Sequence, residues 1–150
     1  PCNCRPDAIA RYLNRISGPL MDRFDLQIEI APLDFEEMSR ITPGEPSASI
    51  RERVICARKR QEERFHNVNG IHCNAQMTSR LMRQFAEPDR DGLEMLRGAI
   101  DRLHLSARAY DRILRVARTI ADLDGTENIQ KHHIAEAIGY RALDRADWGK

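Results

Sequence analysis

The strongest constraint on the fold is a helical periodicity that fills the last two thirds of the chain. After the Pro- and Gly-containing stretch ITPGEPS (41–47), apolar residues recur at three- and four-residue spacing throughout. The segment SARAYDRILRVARTIADLDG is typical of a bounded helix, because Ser106 is a good N-cap and Gly125 a good terminator. Residues 46–145 are therefore predicted to form a bundle of four or five helices.

The helices of this region have recognisable start signals. The first is a long Arg- and Glu-rich helix that begins either with a Ser49–Glu52 capping box or with Ser47 as its cap. The others are predicted to begin at Thr78 or Ser79, at Pro88, at Ser106 and near Gln130, the last running to about Leu143.

The region before the linker, residues 1–42, has a different pattern. Pro6 opens a short amphipathic helix over 6–16, and the Ser-Gly-Pro sequence at 17–19 breaks it. Residues 25–30 (DLQIEI) alternate polar and apolar side chains, which predicts a β-strand. Because a lone strand leaves its edges unpaired, this strand is expected to join a sheet formed by residues absent here, or by another chain.

Composition narrows the class of protein. With 41% hydrophobic and 31% charged residues, the chain is expected to be soluble and mainly helical, and no apolar run approaches the roughly 20 residues that span a bilayer. The four cysteines fit no disulfide framework, so we expect reduced thiols in the cytoplasm. The sequence has 21 Arg and 3 Lys. That bias is compatible with a phosphate-bearing partner, but also with GC-rich codons and pairing to the 23 acidic residues.

Four stretches together resemble one family, the magnesium-chelatase-like AAA+ ATPases of the ComM (YifB) type. They are RISGPLMDRFDLQIEI, the SARAYDRILRVARTIADLDG segment followed by HHIAEAIGYRALDR, a C-x-C before the first helix, and IRERVICARKRQEERF after the linker. The resemblance implies the C-terminal part of a longer ATPase. Its fold would be mainly α: a helical AAA+ lid over 46–145, preceded in 1–42 by a helix-strand remnant of the α/β core.

The same resemblance implies a motor that binds ATP with Mg²⁺, assembles into a homo-oligomeric ring, expected to be a hexamer, and acts on DNA in branch migration during natural transformation. This chain contains no G-x-x-x-x-G-K-[ST] phosphate loop and no acidic Walker B strand, so alone it is expected to be inactive. Two alternatives stay open: a magnesium chelatase motor subunit, and a stand-alone Arg-rich helical module that binds nucleic acid or protein.

Arg23, in the sequence MDRFD, is the first candidate functional residue. It is expected at the end of a short turn, where a guanidinium can project from the edge of the core. The resemblance places an arginine finger here, which would contact the γ-phosphate held by a neighbouring subunit. The structural alternative is a salt bridge from Arg23 to Asp22 or Asp25. Arg15 is the next candidate at the same edge.

Arg108 is the second candidate. It lies in the first turn of the helix capped by Ser106, where the helix dipole already favours anions, so helix stability does not explain a cation there. The resemblance makes Arg108 the sensor 2 arginine, which reads the γ-phosphate of its own subunit. Arg112 and Arg115 follow on a similar face and are weaker nucleotide-binding candidates; the alternative for all three is a solvated face paired to acidic neighbours.

Cys2 and Cys4 form at most half of a zinc site, because a closed structural site needs four ligands. The alternative is a pair of free thiols. His132 and His133 are adjacent, so on a helix their side chains point about 100° apart and are not expected to face one metal together. We interpret them as surface or capping residues.

Overall fold

The computed structural model describes residues 3–39 and 43–141. Three short helices lie in the first range: α1 (Pro6–Leu13), α2 (Gly18–Met21) and α3 (Phe35–Ser39). Five helices lie in the second range: α4 (Ser47–Phe65), α5 (Ser79–Phe85), α6 (Arg90–Leu103), α7 (Ala107–Asp124) and α8 (Lys131–Gly139), with a 3₁₀ turn at Asn74–Gln76. The mainly helical class predicted from the sequence is confirmed.

Helices α4–α8, here called the bundle, enclose a single apolar core. Helix α7 lies at its centre and contacts α4, α5 and α8, while α6 packs against α8. The largest fully buried apolar side chains include Met77, Leu96, Ile113 and Ile134. Burial of such side chains is the main source of stability for a helical bundle, because isolated helices of this length are marginal in water.

A buried ionic network joins α4 to the end of α7. The Asp122 carboxylate is fully buried, and Arg64 donates to both of its oxygens at 2.8 and 2.5 Å. Arg118 Nη2 lies 3.1 Å from Asp122 Oδ1, and Asn74 donates to Oδ2 at 2.7 Å. The buried Asp122 side chain thus lies among the donor groups of Arg64, Arg118 and Asn74, which satisfy its oxygens in the core.

Local caps explain several boundaries. Thr78 and Ser106 accept hydrogen bonds from the amides of Leu81 and Ala109, at 3.4 and 3.1 Å, so Thr78 is the cap of α5 rather than Ser79, and the Ser106 cap is confirmed. Gly125, with φ of 80°, ends α7 as predicted. Helix α6 is capped by Asp89, one residue after Pro88, where its start was predicted; Asp89 accepts from the Gly92 amide at 2.7 Å.

Helix α4 begins earlier than either predicted cap implied. Its N-cap is Pro46, in extended backbone, and Ser47 is already the first helical residue, so the Ser49–Glu52 capping box is wrong. A proline disfavours helical backbone in the residue before it, so the helix does not extend back to Glu45 and its boundary lies at Pro46. Arg53 then reaches back to Glu45 and forms a bidentate ion pair across the first turns.

The predicted strand at residues 25–30 does not form. These residues are described as irregular backbone without a strand partner. Ile28 and Ile30 are 65% and 87% exposed, although alternation predicted one buried face. Alternation requires a neighbouring strand to become a sheet, and the described part of the chain provides none.

Candidate functional site

The residues singled out in the sequence meet where the end of α2 lies against the bundle. Helix α2 starts after Ser17, with Pro19 in its first turn, and is closed by the Asp22 amide, which donates to the Gly18 carbonyl at 2.9 Å. The Arg23 amide donates to the Leu20 carbonyl at 3.0 Å. Residues 22–25, here called the 22–25 turn, thus leave α2 in a defined geometry.

Arg23 is exposed on this turn. No hydrogen bond or ion pair joins its guanidinium to any residue in the ranges 3–39 and 43–141. The two acidic residues that flank it at positions 22 and 25, its proposed structural partners, instead contact arginines of the bundle. Within the described residues, therefore, the Arg23 side chain is available to a group outside this chain.

Asp22 is held by the bundle through three side chains. Ser106 donates to its Oδ1 and Oδ2 at 3.0 and 3.2 Å, while its hydroxyl also caps α7. Arg108 Nη1 lies 3.9 Å from Oδ2, and Arg141 Nη2 lies 3.5 Å from Oδ1. One carboxylate thus ties the turn to the start of α7 and to the end of α8.

Asp25 holds the far side of the turn. Arg112 donates to its Oδ1, and Arg141 donates to the backbone carbonyl of Phe24. These contacts come from residues 87 and 117 positions away in sequence. The bundle therefore engages the turn on both sides of Arg23.

Arg108 combines exposure with a position in the first turn of α7. Its side chain is 57% exposed, and the 3.9 Å pair with Asp22 is a loose one at the surface. A loosely paired guanidinium can exchange its carboxylate for a phosphate at modest cost, because arginine binds both anions through the same fork of N–H groups. The geometry is compatible with the predicted nucleotide contact.

The weaker candidates have partners within the chain. Arg112 contacts Asp25, and Arg115 donates to the carbonyl of Met77 at 3.0 Å. Arg15 lies over the ring of Tyr12, with 5.9 Å between the guanidinium carbon and the ring centroid. A nucleotide-binding role for Arg112 and Arg115 stays a prediction.

The zinc half-site stays a prediction as well. Cys2 lies outside the described residues, and Cys4 is exposed with its thiol outside any disulfide. The group of potential metal ligands found within the described ranges lies elsewhere: Asp124, His132 and His133, with ligand atoms within 4.8 Å of one another. Residues His132 and His133 therefore converge, contrary to the expectation from helix geometry, with ring centroids 3.9 Å apart.

The hydrogen bonds of this cluster identify it as a helix cap. The Gln130 amide donates to His133 Nδ1 at 2.9 Å, so that nitrogen is the acceptor and Nε2 carries the proton of the neutral ring. His133 Nε2 then donates to Asp124 Oδ2 at 3.2 Å. A metal ligated by Nε2 requires the opposite tautomer, which places a hydrogen against the Gln130 amide. His133 is fully buried, so it is a capping residue and not a surface one.

These histidines also change the acidity of their partner. Hydrogen bonds from His133 and, secondarily, from His132 hold the pKa of the Asp124 carboxyl below its ordinary value of 3.8. Asp124 thereby links the last residue of α7 to the first turn of α8.

Sequence reasoning missed one residue of the site, Arg141. Its side chain is 1% exposed and lies between α8 and the 22–25 turn. The sequence GYRALDR contains no local cue for this contact, because its partner is 119 positions away. The MDRFD carboxylates were recognised, but they were paired with Arg23 instead of with the bundle.

No helix within the described ranges has both the length and the apolar character needed to cross a membrane.

Comparisons with known proteins agree on one family. Residues 44–141 match the family described as magnesium chelatase, subunit ChlI C-terminal, and residues 1–38 match magnesium chelatase, subunit ChlI. The uncharacterized protein YifB of Escherichia coli K12 is 43% identical over 143 residues, covering 95% of this chain and 27% of YifB.

The competence protein ComM of Haemophilus influenzae is 45% identical over 142 residues, covering 93% of this chain and 27% of ComM. An uncharacterized protein of Mycobacterium tuberculosis is 36% identical over 151 residues, covering 94% of this chain and 30% of that protein. The chain thus spans little more than a quarter of the length of these curated relatives. The family match over 44–141 shows that this chain belongs to the magnesium chelatase ChlI family, in which it is similar to ComM and YifB.

Proposed function

We propose that this chain is the lid-bearing part of an ATP-driven, ring-forming AAA+ motor in which Arg23 acts as an arginine finger. The observation that carries the proposal is the contrast at the 22–25 turn. Asp22 and Asp25 are bonded to bundle arginines, whereas Arg23 between them is exposed without a partner among the described residues. A fixed turn that presents one unpaired guanidinium is what a finger requires.

In this proposal residues 1–42 are the end of the nucleotide-binding core and residues 46–145 the lid. The family implies ATP and Mg²⁺ in the whole protein. Two exposed guanidinium groups of this chain, those of Arg23 and Arg108, have the donor geometry that suits a terminal phosphate. The phosphate loop is not in this sequence, so these two arginines are the chain's proposed contribution to the nucleotide site.

The two arginines have different roles. Arg23 donates to the γ-phosphate bound by the neighbouring subunit and stabilises the charge that develops there during phosphoryl transfer. Arg108 donates to the γ-phosphate of its own subunit and gives up Asp22 in doing so. The angle of the lid then depends on whether that phosphate is present, which is how hydrolysis would move the ring.

DNA is the proposed target of the motor, and the support for it is the similarity to the competence protein ComM. Branch migration during natural transformation, in the cytoplasm and by a hexamer, is the specific form of the proposal. The family description favours one alternative, a magnesium chelatase motor subunit. ATPase activity stimulated by branched DNA supports the first, and ATP-dependent metal insertion into a porphyrin supports the second.

The test of the finger uses the full-length protein. Arg23→Ala is expected to lower the ATPase kcat by about 10³-fold or more, and mixing it with a subunit disabled in its phosphate loop is expected to restore turnover. Recovery occurs because the intact phosphate loop of one subunit then faces the intact finger of the other. Arg97→Ala is the matched control, since Arg97 is exposed and has no partner among the described residues.

Full activity of Arg23→Ala would reject the finger assignment. A mixture that assembles but stays inactive would do the same, and Arg15 would then be the next residue to test.

A further inference from the structure

The 22–25 turn is held by the last helix of the bundle through one buried side chain. Arg141 follows α8 and is 1% exposed. It donates through Nη1 to the carbonyl of Phe24, and its Nη2 lies 3.5 Å from Asp22 Oδ1. The two contacts fall on the residues immediately before and after Arg23: one is made to the side chain of Asp22 and the other to the backbone of Phe24.

Tyr140, the residue before Arg141, holds the segment that follows the 22–25 turn. The carbonyl of Tyr140 accepts the amide proton of Gln27 at 2.8 Å. The buried Gln27 side chain in turn donates to the carbonyl of Met21 at 3.4 Å, which closes a loop around residues 21–27. Residues 140 and 141 therefore fix both ends of the segment on which Arg23 stands.

The cost of burying a guanidinium makes this arrangement informative. Burying a guanidinium is costly, and Arg141 directs both of its terminal nitrogens to the 22–25 turn. Rigid support matters for catalysis because a displacement of about 1 Å at a reacting group costs about 10²-fold in rate. The buried contact is thus placed where positional accuracy has the largest kinetic value.

We propose that Arg141 is a positioning residue for Arg23. By bonding to Asp22 and Phe24, it lets the lid of one subunit fix the position of the Arg23 side chain that enters the active site of the neighbouring subunit. The inference rests on the proposed function of Arg23. Because α8 is part of the lid, lid movement in one subunit reaches the neighbouring active site through this contact.

The test is Arg141→Gln in the full-length protein. The kcat for ATP hydrolysis is expected to fall about 10²-fold, with the KM for ATP within about twofold of wild type. Mixing this variant with a subunit disabled in its phosphate loop is expected to restore turnover, as for Arg23→Ala. A merely structural defect of the lid acts on the variant's own site and is not restored in this mixture, because the other subunit cannot bind ATP.

Two further variants complete the experiment. Arg97→Gln removes a charge from an exposed position on α6 and is expected to keep full activity. Asp25→Ala removes the carboxylate that accepts from Arg112 and that is 60% exposed, so the fold is kept while the turn loses one support. A loss of kcat of several fold, restored by mixing, is expected.

Arg141→Gln with wild-type kcat, or with a loss that mixing does not restore in assembled rings, overturns the inference. If Arg141→Gln does not assemble, Arg141→Lys decides: it keeps the positive charge but loses the fork that reaches both Asp22 and Phe24, and an unchanged kcat overturns the inference. Failure of the proposed function is distinguishable, because it requires Arg23→Ala itself to remain active. An inactive Arg23→Ala beside a fully active Arg141→Gln rejects only the role of Arg141.

Discussion

Residues 3–39 and residues 43–141 both form amphipathic helices, but only the second range uses them to build a core. Among the described side chains of 3–39, Met21 and Gln27 are buried, while Ile30 and Phe35 are 87% and 80% exposed. In the bundle, Ile113 and others like it are fully buried. Amphipathic pattern therefore identifies a face that needs a partner, and the partner decides whether that face contributes to stability.

The two regions consequently depend on different forces. The bundle is stabilised by apolar burial around α7 and by the Asp122 network. The 22–25 turn is held by hydrogen bonds and ion pairs to Ser106, Arg112 and Arg141. Substitutions in the bundle should change the free energy of unfolding, whereas substitutions at the contacts of the 22–25 turn should chiefly change the position of Arg23.

The largest expected effect comes from removing the charge at the centre of the bundle. Asp122→Ala leaves Arg64 and Arg118 without their carboxylate, and loss of one partner from a buried ion pair costs about 3–5 kcal/mol. Asp7→Ala, at an exposed position of α1, is expected to cost about 0.5 kcal/mol or less. Urea denaturation followed by circular dichroism measures both. Equal losses would contradict the contrast between the two regions.

A matched pair of isoleucines sharpens the same contrast. Ile134→Ala removes a fully buried side chain and is expected to lower the free energy of unfolding by about 2–5 kcal/mol, because it leaves a cavity. Ile30→Ala removes an 87% exposed side chain and is expected to change it by less than about 0.5 kcal/mol. Thermal denaturation of the two variants in parallel gives the comparison. A loss above about 1 kcal/mol at Ile30 would show that residues 25–30 pack against something in solution.

The smallest expected effect is on the pH dependence of stability, through the carboxyl group of Asp124. The pKa of Asp124 is lower in the folded chain than its ordinary 3.8, so this carboxylate stabilises the fold above about pH 3.8, and the contribution is lost as the pH falls through the lowered value. Asp124→Asn is therefore expected to reduce stability at pH 6 and to show a shallower decline of Tm on acidification. The control is Asp101→Asn, an exposed change on α6. Identical pH profiles for wild type and Asp124→Asn would refute the His133–Asp124 cap.

The parts of the fold that sequence predicted are those decided by neighbours in sequence. Thr78, Ser106 and Gly125 act on residues three or four positions away, so their roles in starting and ending helices were predictable. Helical periodicity reports which face is apolar and gave the class correctly. Membership of the chelatase family was likewise predictable, because whole motifs such as MDRFD carry it.

The parts that sequence could not supply depend on distant partners. The strand at residues 25–30 needed a second strand, and alternation alone cannot report whether one exists. The convergence of His132 and His133 depends on where α7 ends relative to α8, since both reach Asp124. The support of the 22–25 turn by Arg141 joins residues more than a hundred positions apart, and no local pattern encodes it.

Several arginines are bonded to other groups of the protein itself, which reduces the number of positive charges available to a polyanion. Among the 24 Lys and Arg residues, five arginines donate in part-buried hydrogen bonds to carbonyls or carboxylates of the described helices and loops: Arg60, Arg64, Arg115, Arg118 and Arg141. Binding to a polyanion depends on salt through the counterions that protein cations displace from its phosphates. A guanidinium that is already bonded to a carbonyl of the protein does not contact a phosphate and displaces no counterion. The salt dependence of the proposed DNA binding should therefore reflect the surface arginines, and it should be weaker than the abundance of arginine in the sequence implies.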